Sequence, residues 1–220
     1  MALLSTSNIL KQKFRLLPFK GAWRDSFGTP ADTGVWTIEG ESGSGKTTFT
    51  FQIVKLLRSM NKRVIYWSIE ECGTYGFQQA VRRANLNRSG CGVKFAAATD
   101  DFDHEIAPLL EMKRGYNVLI IDSLTALDNI WPGGFRKQCF AAWQKRFADK
   151  LLIYICHYKK GTQEVKTSAG EYIHEQANIK VSVVGFKAIV QARAGFQEGC
   201  GGAEYIINQA KADEYSLENL

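Results

Sequence analysis

The sequence predicts an α/β fold, a mainly parallel central sheet flanked by helices, with late antiparallel strands at one edge. Three observations carry this reading. Short, nearly continuous apolar runs rich in β-branched and aromatic residues recur at 35–38, 64–69, 93–96, 118–121 and 151–156. Strands buried on both faces of a parallel sheet have this appearance. Segments with helical spacing separate the runs, and that alternation implies right-handed crossovers. A glycine-rich segment, 40–47, joins the first run to the first helical segment.

Taken in order, residues 5–13 suit one short helix. Residues 14–34 form an arm punctuated by Pro18, Gly21, Gly28, Pro30 and Gly34. The segment 47–60 places Phe49, Ile53, Leu56, Leu57 and Met60 on one helical face. Further helices are predicted over 76–84, 102–113 and 135–148. The polar stretch 157–178, bearing Gly, Ser and Thr, reads as a long flexible loop. The runs 179–184, 186–191 and 203–207, joined by short turns such as Val184-Gly185-Phe186, read as antiparallel strands. The expected division is an N-terminal arm (1–34), one core domain (35–210) and a C-terminal tail (211–220).

Composition narrows the function classes. No apolar run approaches the ~20 residues of a membrane span, and the N-terminus lacks the pattern of a secretory signal. The five cysteines (Cys72, Cys91, Cys139, Cys156, Cys200) are odd in number and widely spread, which fits neither a disulfide framework nor a zinc site. Free thiols in a reducing cytoplasm are expected. The formal net charge is +6, unevenly placed. Lys11, Lys13, Arg15, Lys20 and Arg24 have no acid among them, and 136–166 is basic apart from Asp149 and Glu164, while 100–111 is acidic. Such a chain suits a polyanionic partner, although a solvated basic face accounts for charge alone equally well.

The segment Gly40-Glu41-Ser42-Gly43-Ser44-Gly45-Lys46-Thr47 fits G-x-x-x-x-G-K-[ST]. Following a strand and opening a helix, this pattern is a phosphate-binding loop. Its backbone N–H groups and the helix N-terminus face an anion. Lys46 is expected to reach the β- and γ-phosphates, Thr47 to give a hydroxyl to Mg²⁺, and Thr48 to complete the nucleotide-binding set, with ATP as the nucleotide. The run 118–121 ends in Asp122, a second magnesium residue expected on the strand beside the phosphate loop. The run 64–69 ends in Glu70 and Glu71, and Glu70 is expected to orient and activate the attacking water, with Glu71 the alternate. Helix capping is the competing role for that pair.

With these pieces in this order, the chain resembles the RecA-like ATPases, and the double glutamate resembles the DnaB- and KaiC-type branches. The resemblance spans roughly 35–210. It implies a Lys-x-Arg-x-Gly element reaching a neighbouring subunit's γ-phosphate. Arg193 and Gly195 match it and Gln191 replaces its lysine, which implies a homo-oligomer with one arginine finger acting in trans. It implies a γ-phosphate sensor at His157. It also implies a single-stranded DNA-contacting loop after it, where Lys159, Lys160 and Lys166 lie near Tyr158 and Tyr172, and a second candidate loop with Arg136 and Lys137. The whole chain also looks like Sak-type annealing ATPases of phages and mobile elements. The expected function is therefore Mg-ATP hydrolysis coupled to single-stranded DNA in recombination, annealing or replication. The rivals are a DnaB-type helicase core, a nucleotide-gated assembly ATPase that touches no DNA, and a small-acceptor kinase, which should show an arginine-rich lid.

Overall fold

A computed structural model of the chain describes residues 3–86, 92–192 and 202–218. Among them, strands β1 (Gly34–Gly40), β2 (Val64–Ser68), β3 (Val93–Ala96), β4 (Val118–Asp122), β5 (Leu151–His157), β6 (Ile179–Val184), β7 (Lys187–Ala192) and β8 (Tyr205–Ile206) form one sheet in the order β3-β2-β4-β5-β1-β6-β7-β8. The pairs from β3 through β6 are parallel, and β7 and β8 are antiparallel additions. Of the three late strands expected to be antiparallel, β6 runs parallel to β1. A helix returns the chain before β6, which gives parallel pairing, whereas only a tight turn at Gly185-Phe186 separates β6 from β7.

The helices are α1 (Thr6–Leu10), α2 (Ala22–Phe27), α3 (Lys46–Ser59), α4 (Tyr75–Arg83), α5 (Phe102–Glu105), α6 (Ala107–Glu111), α7 (Leu124–Ile130), α8 (Lys137–Arg146), α9 (Ser168–Gln176) and α10 (Gln209–Glu218). The stretch 157–178 is not all loop. It forms a short β-bridge between Tyr158 and Val165, then α9, whose N-terminus is capped by the Thr167 side chain accepting from the Gly170 N–H. Along α9 and its C-cap the buried apolar side chains are Ala169, Ile173 and Ala177, a stripe too sparse to stand out among polar neighbours. The helix expected over 102–113 breaks in two before Pro108, whose ring removes a backbone donor. Helices α2, α7 and α10 lie where the sequence reading predicts no helix.

Alternation along each strand sends side chains into two cores. Ile65, Trp67, Leu119, Ile121, Leu152 and Tyr154 pack with α5 to α9 on one face. Val64, Tyr66, Val118, Ile120, Ile153 and Ile155 pack with α3 and α4 on the other. The arm belongs to this second layer. Leu17, Phe19 and Phe27 are buried, Phe27 lies 5.5 Å from Trp36 between ring centroids, and Trp23 stacks on Phe49 at 5.8 Å. Asp32 is buried and anchors the arm through an ion pair to Lys62 at 2.5 Å. Among the described residues no helix is long and apolar enough to cross a membrane, and Cys72, Cys139 and Cys156 are free thiols.

Candidate nucleotide-binding site

The parallel register brings the carboxyl ends of β1, β5, β4 and β2 to one edge. Gly40 is opposite His157, Asp122 is opposite Ile155, and Ser68 is opposite Asp122. Asp122 is thus not on the strand beside the phosphate loop. β5 intervenes, and its last residue, His157, takes the position next to Gly40. Past these ends Lys46, Thr47, Thr48, Glu70, Glu71, Asp122 and His157 line one cavity of about 330 Å³ together with Ser42, Gly43 and Gly45. Gly40, Glu41 and Ser44 complete the loop beside it, and Glu41 and Ser44 face a second cavity on the loop's outer side.

The loop's conformation follows from its glycines and from what lies against them. Gly45 has φ 106°, and a Cβ there would lie 2.8 Å from the Phe186 ring. Only glycine satisfies both constraints. Gly45 is also the N-cap of α3 and supplies no side-chain hydrogen bond, so the first N–H groups of the helix are left to face an anion. Lys46 is buried, and its Nζ donates to the carbonyls of Gly40 (3.0 Å) and Glu41 (2.7 Å). Burial lowers its pKa, opposed by the nearby Asp122 charge. A phosphate oxygen would offer this ammonium a charged acceptor in place of two neutral ones.

Burial pushes the Asp122 carboxyl up to about 6, against the Tyr66 hydroxyl that donates to it at 2.6 Å; the charges of Glu71 and Glu70 push in the same upward direction. A buried carboxylate among like charges suits a divalent cation. Asp122 with the Thr47 hydroxyl offers the hard oxygen donors that Mg²⁺ takes alongside phosphate and water.

Ser123, next along, donates from Oγ to Glu70 Oε1 at 2.5 Å while capping α7 by accepting from the Ala126 N–H at 3.3 Å. The structure thereby distinguishes the two glutamates geometrically: Glu70 is held across to β4, and Glu71 lines the groove between α3 and α4 as well as the phosphate cavity. His157 is half-buried. Burial lowers its pKa, as do the Lys46 and Lys166 charges, with Glu70 opposing, so the neutral imidazole prevails at pH 7.

If the Ser123 hydroxyl positions Glu70, Ser123→Ala should lower kcat for nucleotide hydrolysis about tenfold or more, the scale of a hydrogen bond to a charged group. Nucleotide affinity should stay the same, and Ser123→Thr should recover most of the rate. An affinity loss matching the kcat loss would assign Ser123 to binding instead.

The cations expected to meet nucleic acid are placed differently from one another. Lys159 is engaged by Glu164 (3.0 Å) and Glu171 (3.3 Å). Lys160 is exposed. Lys166 stands across the short hairpin from His157, its N–H donating to the His157 carbonyl at 2.9 Å. Arg136 Nε donates to the Gly133 carbonyl at 2.8 Å, and Lys137 lies 4.9 Å above the Tyr172 ring, tying α8 to α9. Arg193 and Gly195 lie outside the described residues. Residues not expected from the sequence also join the site, among them Tyr66 on Asp122, and Phe186 and Lys211 on the rim of the cavity. Tyr66 reads as one more apolar strand residue, and no local pattern marks the other two.

No family model matches the chain. A thymidylate kinase of Mesoplasma florum is 32% identical over 111 residues, 46% of this chain and 49% of that protein, so the chain spans about half the length of this curated relative. Among solved structures, the KaiC-like protein PH0186 of Pyrococcus horikoshii superposes with TM-score 0.63 at 13% identity, over 88% of this chain and 93% of its own. The flagellar accessory protein FlaH of Methanocaldococcus jannaschii gives 0.60 at 13%, over 86% and 92%. A type III secretion system ATPase of pathogenic bacteria gives 0.54 at 16%, over 81% and 59%. At such identities the likeness is one of fold. The chain has the mixed α/β fold of the RecA-like P-loop ATPases, with a phosphate-loop sequence at the head of its first crossover helix.

Proposed function

We propose that this protein binds Mg-ATP, hydrolyses it, and couples the turnover to single-stranded DNA in recombination, annealing or replication. The observation that carries the ATPase reading is the convergence of Lys46, Thr47, Asp122 and the Ser123-held Glu70 on one cavity. Lys46 and the α3 N-terminus hold the phosphates, and Thr47 and Asp122 hold the metal. Held there, Mg²⁺ would supply positive charge against the phosphates. Glu70 orients the attacking water and takes its proton. His157, neutral and beside Gly40, donates to a phosphate oxygen and senses its presence.

The DNA part of the reading is supported by the hairpin that follows His157. Its Gly161 N–H donates to the Glu41 carboxylate at 2.8 Å, which joins the lysine-bearing hairpin to the phosphate loop. Nucleotide that reshapes the loop would therefore move Lys160 and Lys166. Arg193 from an adjacent protomer completes the site in this reading, which makes the active species a homo-oligomer, and the narrower Sak-type likeness belongs to the same proposal.

One observation favours a nucleotide-gated assembly ATPase without DNA: Lys159 is already engaged by two carboxylates. Titration of a labelled single strand against salt separates the two readings. Binding should weaken steeply with salt, and Arg136→Ala with Lys160→Ala should reduce the log–log slope by about 1.4, two lost contacts at about 0.7 each. ATP affinity should not change. Absence of salt-dependent binding, with ATP hydrolysis intact, would favour the DNA-free reading.

A further inference from the structure

The C-terminal helix α10 is built onto the rim of the phosphate cavity. The Ile207 N–H donates to the Phe186 carbonyl at 2.9 Å, and Gln52 Nε2, from α3, donates to the Ile207 carbonyl at 3.0 Å. Ala212 is buried, and the Tyr215 ring packs over Gly185 where any Cβ would collide with it. These contacts fix the first turns of α10 and leave the Lys211 ammonium 4.7 Å from the centre of the Phe186 ring. No ion pair engages Lys211 among the described residues.

Phe186 in turn is bound to the phosphate loop. Its N–H donates to the Ser44 carbonyl at 3.1 Å, and its ring lies against Gly45. Its φ is 58°, a left-handed conformation that is unfavourable for a non-glycine residue and persists where the surroundings over-determine it. Phe186 and Lys211 line both the phosphate cavity and the larger groove, about 790 Å³, between α3 and α4. Thr47, Thr48 and Glu71 line both as well, whereas His157 lines only the first. Lys211 therefore shares the side of the cavity that Thr47 and Thr48 open, beside the loop and helix N–H groups that cradle α- and β-phosphates in a loop of this kind.

We propose that α10 is a clamp acting in cis, with Lys211, preset on the Phe186 ring, binding the α- and β-phosphates of the nucleotide. This rests on the nucleotide-binding reading above. A cation held on an aromatic face beside a ring of loop N–H groups loses little on transfer to a phosphate oxygen, because the ring keeps its orientation and the anion replaces water. Nucleotide occupancy is thereby tied to the docking of α10.

Calorimetric titration of full-length protein with ADP, ATP and inorganic tripolyphosphate tests the clamp. Lys211→Ala should raise all three Kd values about tenfold, the scale of one charge-assisted hydrogen bond. Lys211→Arg should recover most of that loss, and the difference between Lys211→Ala and wild type should shrink with salt because the side chain is exposed. Unchanged Kd values in Lys211→Ala, or a loss confined to ATP, would overturn the proposal. Wild-type protein that binds none of the three would instead overturn the nucleotide-binding reading itself.

Discussion

Glu70→Gln should lower ATP turnover by about 100-fold or more, the scale of a lost general base, while nucleotide affinity stays close to wild type. The substitution keeps the side chain's length and leaves a carbonyl oxygen to accept from Ser123, whose hydroxyl lies 2.5 Å from Glu70 Oε1. Position is retained and basicity is removed. Glu71→Gln is the matched control. Glu71 shares the cavity but also lines the groove between α3 and α4, and its substitution should leave most of the rate. Single-turnover hydrolysis measured beside equilibrium nucleotide binding separates chemistry from affinity. If Glu71→Gln shows the larger loss with normal binding, the two carboxylates have exchanged roles, and the Ser123–Glu70 hydrogen bond serves only the local structure.

Lys46→Ala should weaken nucleotide binding by about 100-fold or more, in keeping with the 2–5 kcal/mol lost when one partner of a buried charge pair is removed. Lys46 is 6% exposed, so solvent cannot substitute for its charge. The variant should not be less stable without nucleotide. Burial lowers the Lys46 pKa, which means the fold disfavours the charged form. Below that lowered pKa the charge opposes folding, and raising pH through it would relieve the cost. Removing the ammonium removes this cost, offset by two lost hydrogen bonds to loop carbonyls. Thermal melts with and without saturating ADP therefore distinguish the outcomes. The wild type should gain stability from ADP and Lys46→Ala should gain little at the same concentration. A large ADP-induced shift in Lys46→Ala would mean that another cation carries the phosphate.

The legible parts of this protein are those whose physics is local. The phosphate loop is contiguous, and its glycines, lysine and threonine could be read together because strand, loop and helix follow one another without interruption. Glu70 and Asp122 were legible because each closes an apolar run. How the arm packs is not legible in the sequence because Leu17, Phe19 and Phe27 are scattered among turn residues, and only their burial against Trp36 and α3 shows that they belong to the core. Helix α9 was hidden for a related reason, since three small or isolated apolar residues among polar ones carry little periodic signal.

From the sequence alone follow the α/β class, the strand-to-helix position of the phosphate loop, and the carboxylates at the strand ends, because periodicity and backbone geometry act over a few residues. Only the tertiary structure decides which strand stands between which. It inserts β5 between β1 and β4 and so sets His157 beside Gly40. It selects Glu70 over Glu71 as the partner of Ser123. It also brings Phe186 and Lys211 to the rim of a cavity whose loop lies far from them along the chain. Those placements depend on parallel register and on packing between elements remote in sequence, and no short pattern of residues encodes a contact that exists only once the sheet has closed around its crossovers.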